Sequence, residues 1–355
     1  MIQVYAPGRA EVLGNHTDYN DGLVLSIAVD RGTTIKGAPR YDGKIKLIAS
    51  DLQEEILLDL SEIRPQVTKE WGNYVLGVYD QFVKRGVPPK GFEIEISSNL
   101  PMGAGLSSSA ALEVATALFL QQLYQTRFDK LELAKIGQAA EHQFVGVKCG
   151  LLDQISSLFG KKDHLIYIDC RTFEVRTIPI PSGVQFVIAN SKVKHALVTG
   201  EYNERRESCE AAAKSLEVRA LRDVTPEFLE KNRVRLSLNA LKRARHVVGE
   251  IDRVQRAEKA LEKSEIAAFG KLMWESHESS VQNFENSCQA LDHLITASKK
   301  VKGCYGGRLS GGGFGGATVN LVESGAVESF TQKMTQAWKT TECLVTSACD
   351  GASVL

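Results

Sequence analysis

What this chain has little of narrows its reading first. It has no net charge: 43 Lys and Arg balance 43 Asp and Glu over 355 residues. A balanced chain gives no electrostatic reason to bind nucleic acid or an anionic membrane, and leaves room only for a local cationic pocket for a phosphate. It lacks an apolar run of membrane-spanning length; even residues 110–123 are broken by Glu113, Gln121 and Gln122. Its first residues lack the basic stretch and apolar run of a secretory signal, so a soluble, cytoplasmic protein is expected. Cysteine is scarce, at seven residues, odd in number and never spaced C-x-x-C. Buried reduced thiols are therefore expected, in preference to a disulfide framework or a zinc site. Low-complexity segments and internal repeats are also missing.

What is present supports a large core. The chain is 43% hydrophobic, enough for one big domain or two ordinary ones. Residues 2–6 and 23–29 read as short buried strands around a polar loop. Residues 44–49 and 92–97 alternate apolar and polar, as half-buried strands do. Helical spacing marks 71–85, 107–124 and 130–144, and another helix is expected from near 150 to 159. Strand-like stretches follow at 164–169 and 174–180. The Pro- and Gly-containing run 179–183 then punctuates the chain, and a strand is expected over 184–190, which places a domain boundary between 1–183 and 184–355. The second half is mostly helical from 202 to 300, then a glycine loop, a strand over 317–322, a helix and a final segment. Strands and helices interleave without regular βαβ spacing, which favours an α+β fold.

Four stretches have the residue types that chemistry needs. The run 101–111 contains Gly103, Ala104, Gly105, Leu106 and then Ser107, Ser108 and Ser109, between a strand and a helix. Such a loop lets backbone N–H groups and a helix dipole meet a phosphate. It is not a Walker A loop, since no Gly-Lys-Ser/Thr follows, and an ordinary cap with a turn would also account for it. The run 306–316 holds seven glycines in eleven residues. That density implies close backbone packing against a ligand or another loop, and Phe314 and the following strand argue against a linker. The run 8–22 crowds Arg9, Glu11, Asn15, His16, Asp18 and Tyr19 between two apolar strands, a set suited to sugar hydroxyls or to a polar turn. The fourth stretch pairs Glu141 and His142 with 149–154, where Gly150 is followed by Asp153 in the first turn of a new helix. An Asp there, held ionised by the dipole, can orient or accept a hydroxyl proton; a simple helix-start Asp fits as well.

Taken together and in this order, the motifs resemble those of galactokinases in the GHMP kinase superfamily. The resemblance covers essentially the whole chain, through 8–19, 101–111 and 307–316, with further galactokinase-like stretches at 71–75, 149–154, 190–197, Glu201-Tyr202, Arg205-Arg206, Ser276-His277, 286–288 and 350–352. It implies a two-lobed α+β kinase with its active site between the lobes. The implied reaction is ATP- and Mg²⁺-dependent phosphorylation of D-galactose at the anomeric C1 hydroxyl, by a monomer. By position, Asp153 resembles the catalytic carboxylate and Arg9 the cation beside it that stabilises charge on the transferred group. Asn15, His16, Asp18, Gly150 and Tyr202 fall where sugar contacts lie. Residues 103–109 would cradle the ATP phosphates, and Ser109 (or Ser108) with Glu141 would hold Mg²⁺.

One departure stands out. The family pattern Gly-Arg-x-Asn-Leu-Ile-Gly-Glu-His-x-Asp-Tyr carries its Glu where this chain has Asn15, and its Asn where this chain has Glu11. That family Glu accepts from the sugar's C6 hydroxyl. Asn15 is expected to accept through its amide oxygen without charge assistance and to tolerate changes at C6, so galacturonate is a rival substrate, and N-acetylgalactosamine, changed at C2, is another. Glu11 reads as a loop acceptor or as half of an exchange of roles. A non-catalytic galactose and ATP sensor, or a kinase for mevalonate or homoserine, are the alternatives from other classes. His142, His195 and His277 lack metal-ligand spacing, and the arginines at 205–206 and 218–256 read as a solvated helical face.

Overall fold

The computed structural model describes residues 1–101, 103–193 and 198–355; the galactokinase-like stretch 190–197, with His195, falls partly outside them. The chain opens with two long strands, β1 (Ile2–Leu13) and β2 (Leu23–Arg40). Both outrun the short apolar stretches that signal them. Pro7 and Gly8 look like strand terminators, but two register shifts, between Pro7 and Arg9 and between Glu11 and Leu13, carry the pairing past them. Such bulges re-aim side chains, and here they lie at Arg9 and Glu11.

The first half continues through β3 (Lys44–Ala49), β4 (Glu54–Asp59), α1 (Gly72–Lys84), β5 (Gly91–Ser98), α2 (Ser108–Tyr124), α3 (Lys130–Ala140), α4 (Leu152–Phe159), β6 (His164–Asp169) and β7 (Glu174–Pro179). Among the described residues the strands form one mixed sheet in the order β4, β3, β5, β2, β1, with β6 and β7 joined to the other end of β2. Helices α1 to α4 cover one face over a core holding Phe82, Phe92 and Phe119, all fully buried. Each such ring stabilises the fold by about 2–3 kcal/mol of apolar burial.

The second half follows as β8 (Val184–Asn190), α5 (Val198–Ser215), α6 (Pro226–Lys231), α7 (Leu238–Glu262), α8 (Ile266–Ser279), α9 (Gln289–Ser298), β9 (Cys304–Leu309), β10 (Ala317–Glu323), α10 (Val327–Ala337), β11 (Glu342–Thr346) and β12 (Ser353–Val354). Strands β11, β8, β10 and β9 make a second sheet, whereas β12 returns to pair with β1. The two-lobed α+β arrangement is therefore present. A second core joins the lobes, packing Leu13, Leu25 and Ile27 of the first sheet with Val247, Phe269 and Phe284. Helix α7 lies along this seam. Its arginines do not all face solvent as the sequence pattern suggests: Arg243 is 2% exposed, and Arg205 of α5 is buried with it. All seven cysteines are free. Among the described residues no helix is long and apolar enough to cross a membrane.

Candidate active site

The turn after β1, the start of α2 and the start of α4 meet at a cavity of about 290 Å³. Arg9, Asn15, His16, Asp18, Ser109, Glu141, Gly150, Asp153 and Tyr202, nine of the residues singled out from sequence, all border it. At its centre Arg9 Nε donates to Asp153 Oδ1 at 2.7 Å, and Arg9 Nη1 donates to the Gly105 carbonyl at 2.6 Å. The Arg9 side chain is 7% exposed and Asp153 26%, so the cation is enclosed and the carboxylate faces the cavity.

The glycine loop beside this pair has the form of an anion-binding nest. Gly103, Gly105 and Ser107 have φ of +70°, +65° and +52°, alternating with ordinary residues, the backbone pattern of a nest, in which the Ala104 N–H already donates to the Pro101 carbonyl at 3.4 Å. Ala104 and Leu106 bury their side chains, so only their backbone is available to a ligand. The Ser107 hydroxyl donates to Asp153 Oδ2 at 2.5 Å and braces the carboxylate. An ionised carboxylate has about four acceptor sites, and Arg9 and Ser107 occupy two, leaving room for a substrate hydroxyl.

Ser109 and Glu141 both border the cavity, and the Cys149 thiol donates to Glu141 at 2.6 Å. Burial raises the Glu141 carboxyl above its usual range, with the charge of Asp153 adding to the shift. A nearby cation would relieve it. A hydroxyl and a buried carboxylate are hard oxygen donors, and the pair fits a hard divalent ion that keeps waters and phosphate oxygens in its shell. No cluster of three or more His, Cys, Asp and Glu set to hold a metal occurs among the described residues.

The other half of the cavity is lined by aromatic and polar groups. His16 packs on Phe284 and Tyr202, with ring centroids 4.3 and 5.2 Å away. Both its nitrogens are engaged, Nδ1 with the Tyr19 hydroxyl at 2.7 Å and Nε2 with the Gly312 carbonyl at 3.2 Å. Burial lowers its pKa to about 3, so the ring is a neutral wall of the pocket. Burial, and then the charges of Glu11 and Asp153, push Asp18 up to about 7. Gly150 touches Asp18 so closely that a Cβ there would sit 2.0 Å from Asp18 Oδ2. Gly150→Ala is therefore expected to displace Asp18; if the cavity takes the sugar that the motifs imply, the KM for that sugar rises at least about tenfold in steady-state kinetics, with the KM for nucleotide unchanged.

Sequence reasoning missed the struts behind this loop. Glu250 of α7, fully buried, accepts from the backbone N–H of Gly14 at 2.9 Å and of Asn15 at 2.8 Å. His246, one turn earlier, meets the Asn15 carbonyl at 3.2 Å. Their signal was a charged residue on the stripe Ala240, Ala244, Val247, Ile251, Val254, which is the buried face of α7. The glycine run over 306–316 packs against another loop, as its composition implies: the Gly311 carbonyl accepts from Asn15 Nδ2 at 2.8 Å, and the Gly312 carbonyl from Asn286 Nδ2 at 3.1 Å.

A second cavity of about 420 Å³ adjoins the first through Tyr74 and Ser109. It is lined by Trp71, Leu52, Leu100, Leu112 and Ser108, with Asp51 at its rim. A largely apolar cavity that carries aromatic side chains beside a glycine loop suits a nucleotide base.

Comparison with known proteins agrees along the whole chain. Residues 2–39 match the galactokinase galactose-binding signature, 73–161 the GHMP kinases N terminal domain, and 257–340 the GHMP kinases C terminal family. A galactokinase of Roseiflexus sp. (strain RS-1) is 42% identical over 99% of this chain and 92% of its own length. The chain belongs to the galactokinase family of the GHMP kinases. Another galactokinase, from Pasteurella multocida (strain Pm70), is 46% identical over 93% of this chain and 88% of its own. The crystal structure of Lactococcus lactis galactokinase complexed with galactose superposes with a TM-score of 0.96 at 32% identity, covering 100% of this chain and 95% of that one. The mevalonate kinase of Methanococcus jannaschii, at 22% identity and a TM-score of 0.68, shares the fold. The galactokinase neighbour and the galactose-binding signature both favour the sugar branch over that of mevalonate.

Proposed function

We propose that this protein is a galactokinase: it transfers the γ-phosphoryl group of ATP to the C1 hydroxyl of D-galactose, giving galactose 1-phosphate and ADP. The observation that carries the mechanism is the Arg9–Asp153 contact at the edge of the glycine nest, inside a pocket otherwise lined for a neutral polyol. Asp153 takes a hydrogen bond from the C1 hydroxyl, orients its oxygen and accepts the proton as that oxygen bonds to the γ-phosphorus. The bond from the γ-phosphorus to the β–γ bridging oxygen breaks, and the electron pair leaves with ADP. Arg9 balances charge on the phosphoryl oxygens while it holds Asp153 in place. Asp18, Gly150 and Tyr202 shape the sugar site, with His16 as its aromatic wall.

Backbone N–H groups of 103–109 receive the ATP phosphates, and the Trp71 slot receives the base. Ser109 and Glu141 would hold Mg²⁺, which supplies charge neutralisation at the β- and γ-phosphates. The division between 1–183 and 184–355, drawn between β7 and β8, separates the two lobes around this site. A cytoplasmic monomer is the corresponding state.

The test is a coupled ADP assay with galactose, galacturonate and N-acetylgalactosamine, run with Mg²⁺ and with excess chelator. Rapid ADP release with galactose and Mg²⁺ alone is expected. Much faster release with either rival sugar would sink the substrate assignment.

A further inference from the structure

Position 15 was expected to read the sugar, yet its side chain is already occupied. Asn15 Nδ2 donates one hydrogen to the Gly311 carbonyl at 2.8 Å and the other to Glu11 Oε2 at 3.1 Å. Asn15 Oδ1 accepts from Asn286 Nδ2 at 3.1 Å. With two acceptors on one side and a donor on the other, the amide cannot turn round without placing like against like.

Glu11 is in the opposite condition. Its carboxylate is enclosed, borders the same cavity and is braced from behind. Arg308, fully buried, spends one hydrogen bond on Ser276 Oγ at 2.9 Å and one on the Glu11 carbonyl at 3.3 Å, and holds Nη1 3.7 Å from Glu11 Oε2. The contact of Asn15 with Glu11 Oε1 is a long 3.4 Å. Of the roughly four acceptor sites of a carboxylate, those on the cavity side are unused.

We propose that Glu11, and not Asn15, is the residue of this chain that accepts a hydrogen bond from the sugar's C6 hydroxyl and sets tolerance there. The inference rests on the galactose 1-kinase reading. It treats positions 11 and 15 as having exchanged carboxylate and amide, with Arg308 and Asn286 fixing each in its new place. The consequence reverses the expectation drawn from Asn15 alone. A carboxyl group still faces C6, and burial raises its pKa, so a second carboxylate brought beside it at C6 cannot ionise without cost and is disfavoured, while a C6 hydroxyl meets an acceptor.

The test compares kcat/KM for galactose, 6-deoxygalactose and galacturonate in the wild type and in Glu11→Gln. The melting temperature and the KM for ATP serve as controls, and galactose affinity is measured separately by calorimetry. The wild type should prefer galactose over 6-deoxygalactose by at least about tenfold and leave galacturonate unused. In Glu11→Gln that preference should shrink to within about threefold, through a higher KM for galactose, with the KM for ATP unmoved. A folded Glu11→Gln that keeps the wild-type preference overturns the proposal, as does wild-type turnover of galacturonate at a rate near that of galactose. If Glu11→Gln does not fold, Glu11→Asp decides: drawing the carboxylate back by one methylene should shrink the preference for galactose over 6-deoxygalactose, and a preference kept at the wild-type level overturns the proposal. Galactose affinity that falls in Glu11→Gln, beside a wild type that releases no ADP, would remove the kinase reading and leave the Glu11 contact standing.

Discussion

Replacing Asp153 by Asn is expected to lower kcat about a thousandfold while the KM for galactose stays within about threefold. The substitution is nearly isosteric, and the neighbours can accommodate it. The amide oxygen can keep the bond from Arg9 Nε, and the Ser107 hydroxyl can rotate to accept from the new NH₂ group. Shape and sugar contacts therefore survive, and the loss is chemical. A neutral amide cannot take the C1 proton, and it no longer balances Arg9, whose side chain is almost wholly enclosed. Coupled ADP release and calorimetric galactose binding separate the two effects. If Asp153 only positions the hydroxyl, kcat falls about tenfold instead, and a drop of that size would sink its assignment as the proton acceptor. Loss of galactose binding in step with kcat would point to a collapsed pocket.

How far the sequence leads differs between fold and site. The α+β character was readable because β3 and β5 alternate with a period of two, α1 has helical spacing and β8 holds a continuous apolar run. The continuation of β1 through Pro7 and Gly8 was not, since a bulge is a matter of pairing with β2, which local sequence does not contain. At the site, the residues carried by continuous motifs converge on one cavity although Arg9 and Asp153 are 144 positions apart. Residues that act by crossing between lobes stayed hidden. Arg308 lay inside a run noticed for its glycines, and Asn286 in a stretch, 286–288, marked by resemblance with no role attached. Arg243 and Glu250 were masked by the charged character of α7, whose polar face and buried stripe interleave. At position 15 an amide suits the donors and acceptors of Glu11, Gly311 and Asn286, which only the folded chain assembles.

Glu250→Gln is expected to cost about 3 kcal/mol of stability at pH 7. The carboxylate is fully buried, and burial alone would raise its pKa. Arg253, whose Nε donates to Oε1 at 2.6 Å, outweighs that effect together with other nearby positive groups and the Asn15 N–H, and the group sits at about 2 instead of the ordinary 4.5. Because the folded value is the lower one, Glu250 stabilises the fold fully above about pH 4.5. That contribution is lost as pH falls toward 2. Gln cannot replace it: an amide that accepts from Gly14 and Asn15 turns its NH₂ toward Arg253, and the reverse orientation sets donor against two N–H groups. Urea denaturation should show the gap between variant and wild type narrowing to roughly half near pH 3. A gap of equal size at both pH values would mean that packing, not charge, is what the residue supplies. The kinetic signature should accompany it, because Glu250 anchors the turn that carries Asn15, His16 and Asp18 to the cavity. A rise in the KM for galactose with an unchanged KM for ATP would tie the strut to the sugar half of the site, and equal rises in both would break that tie.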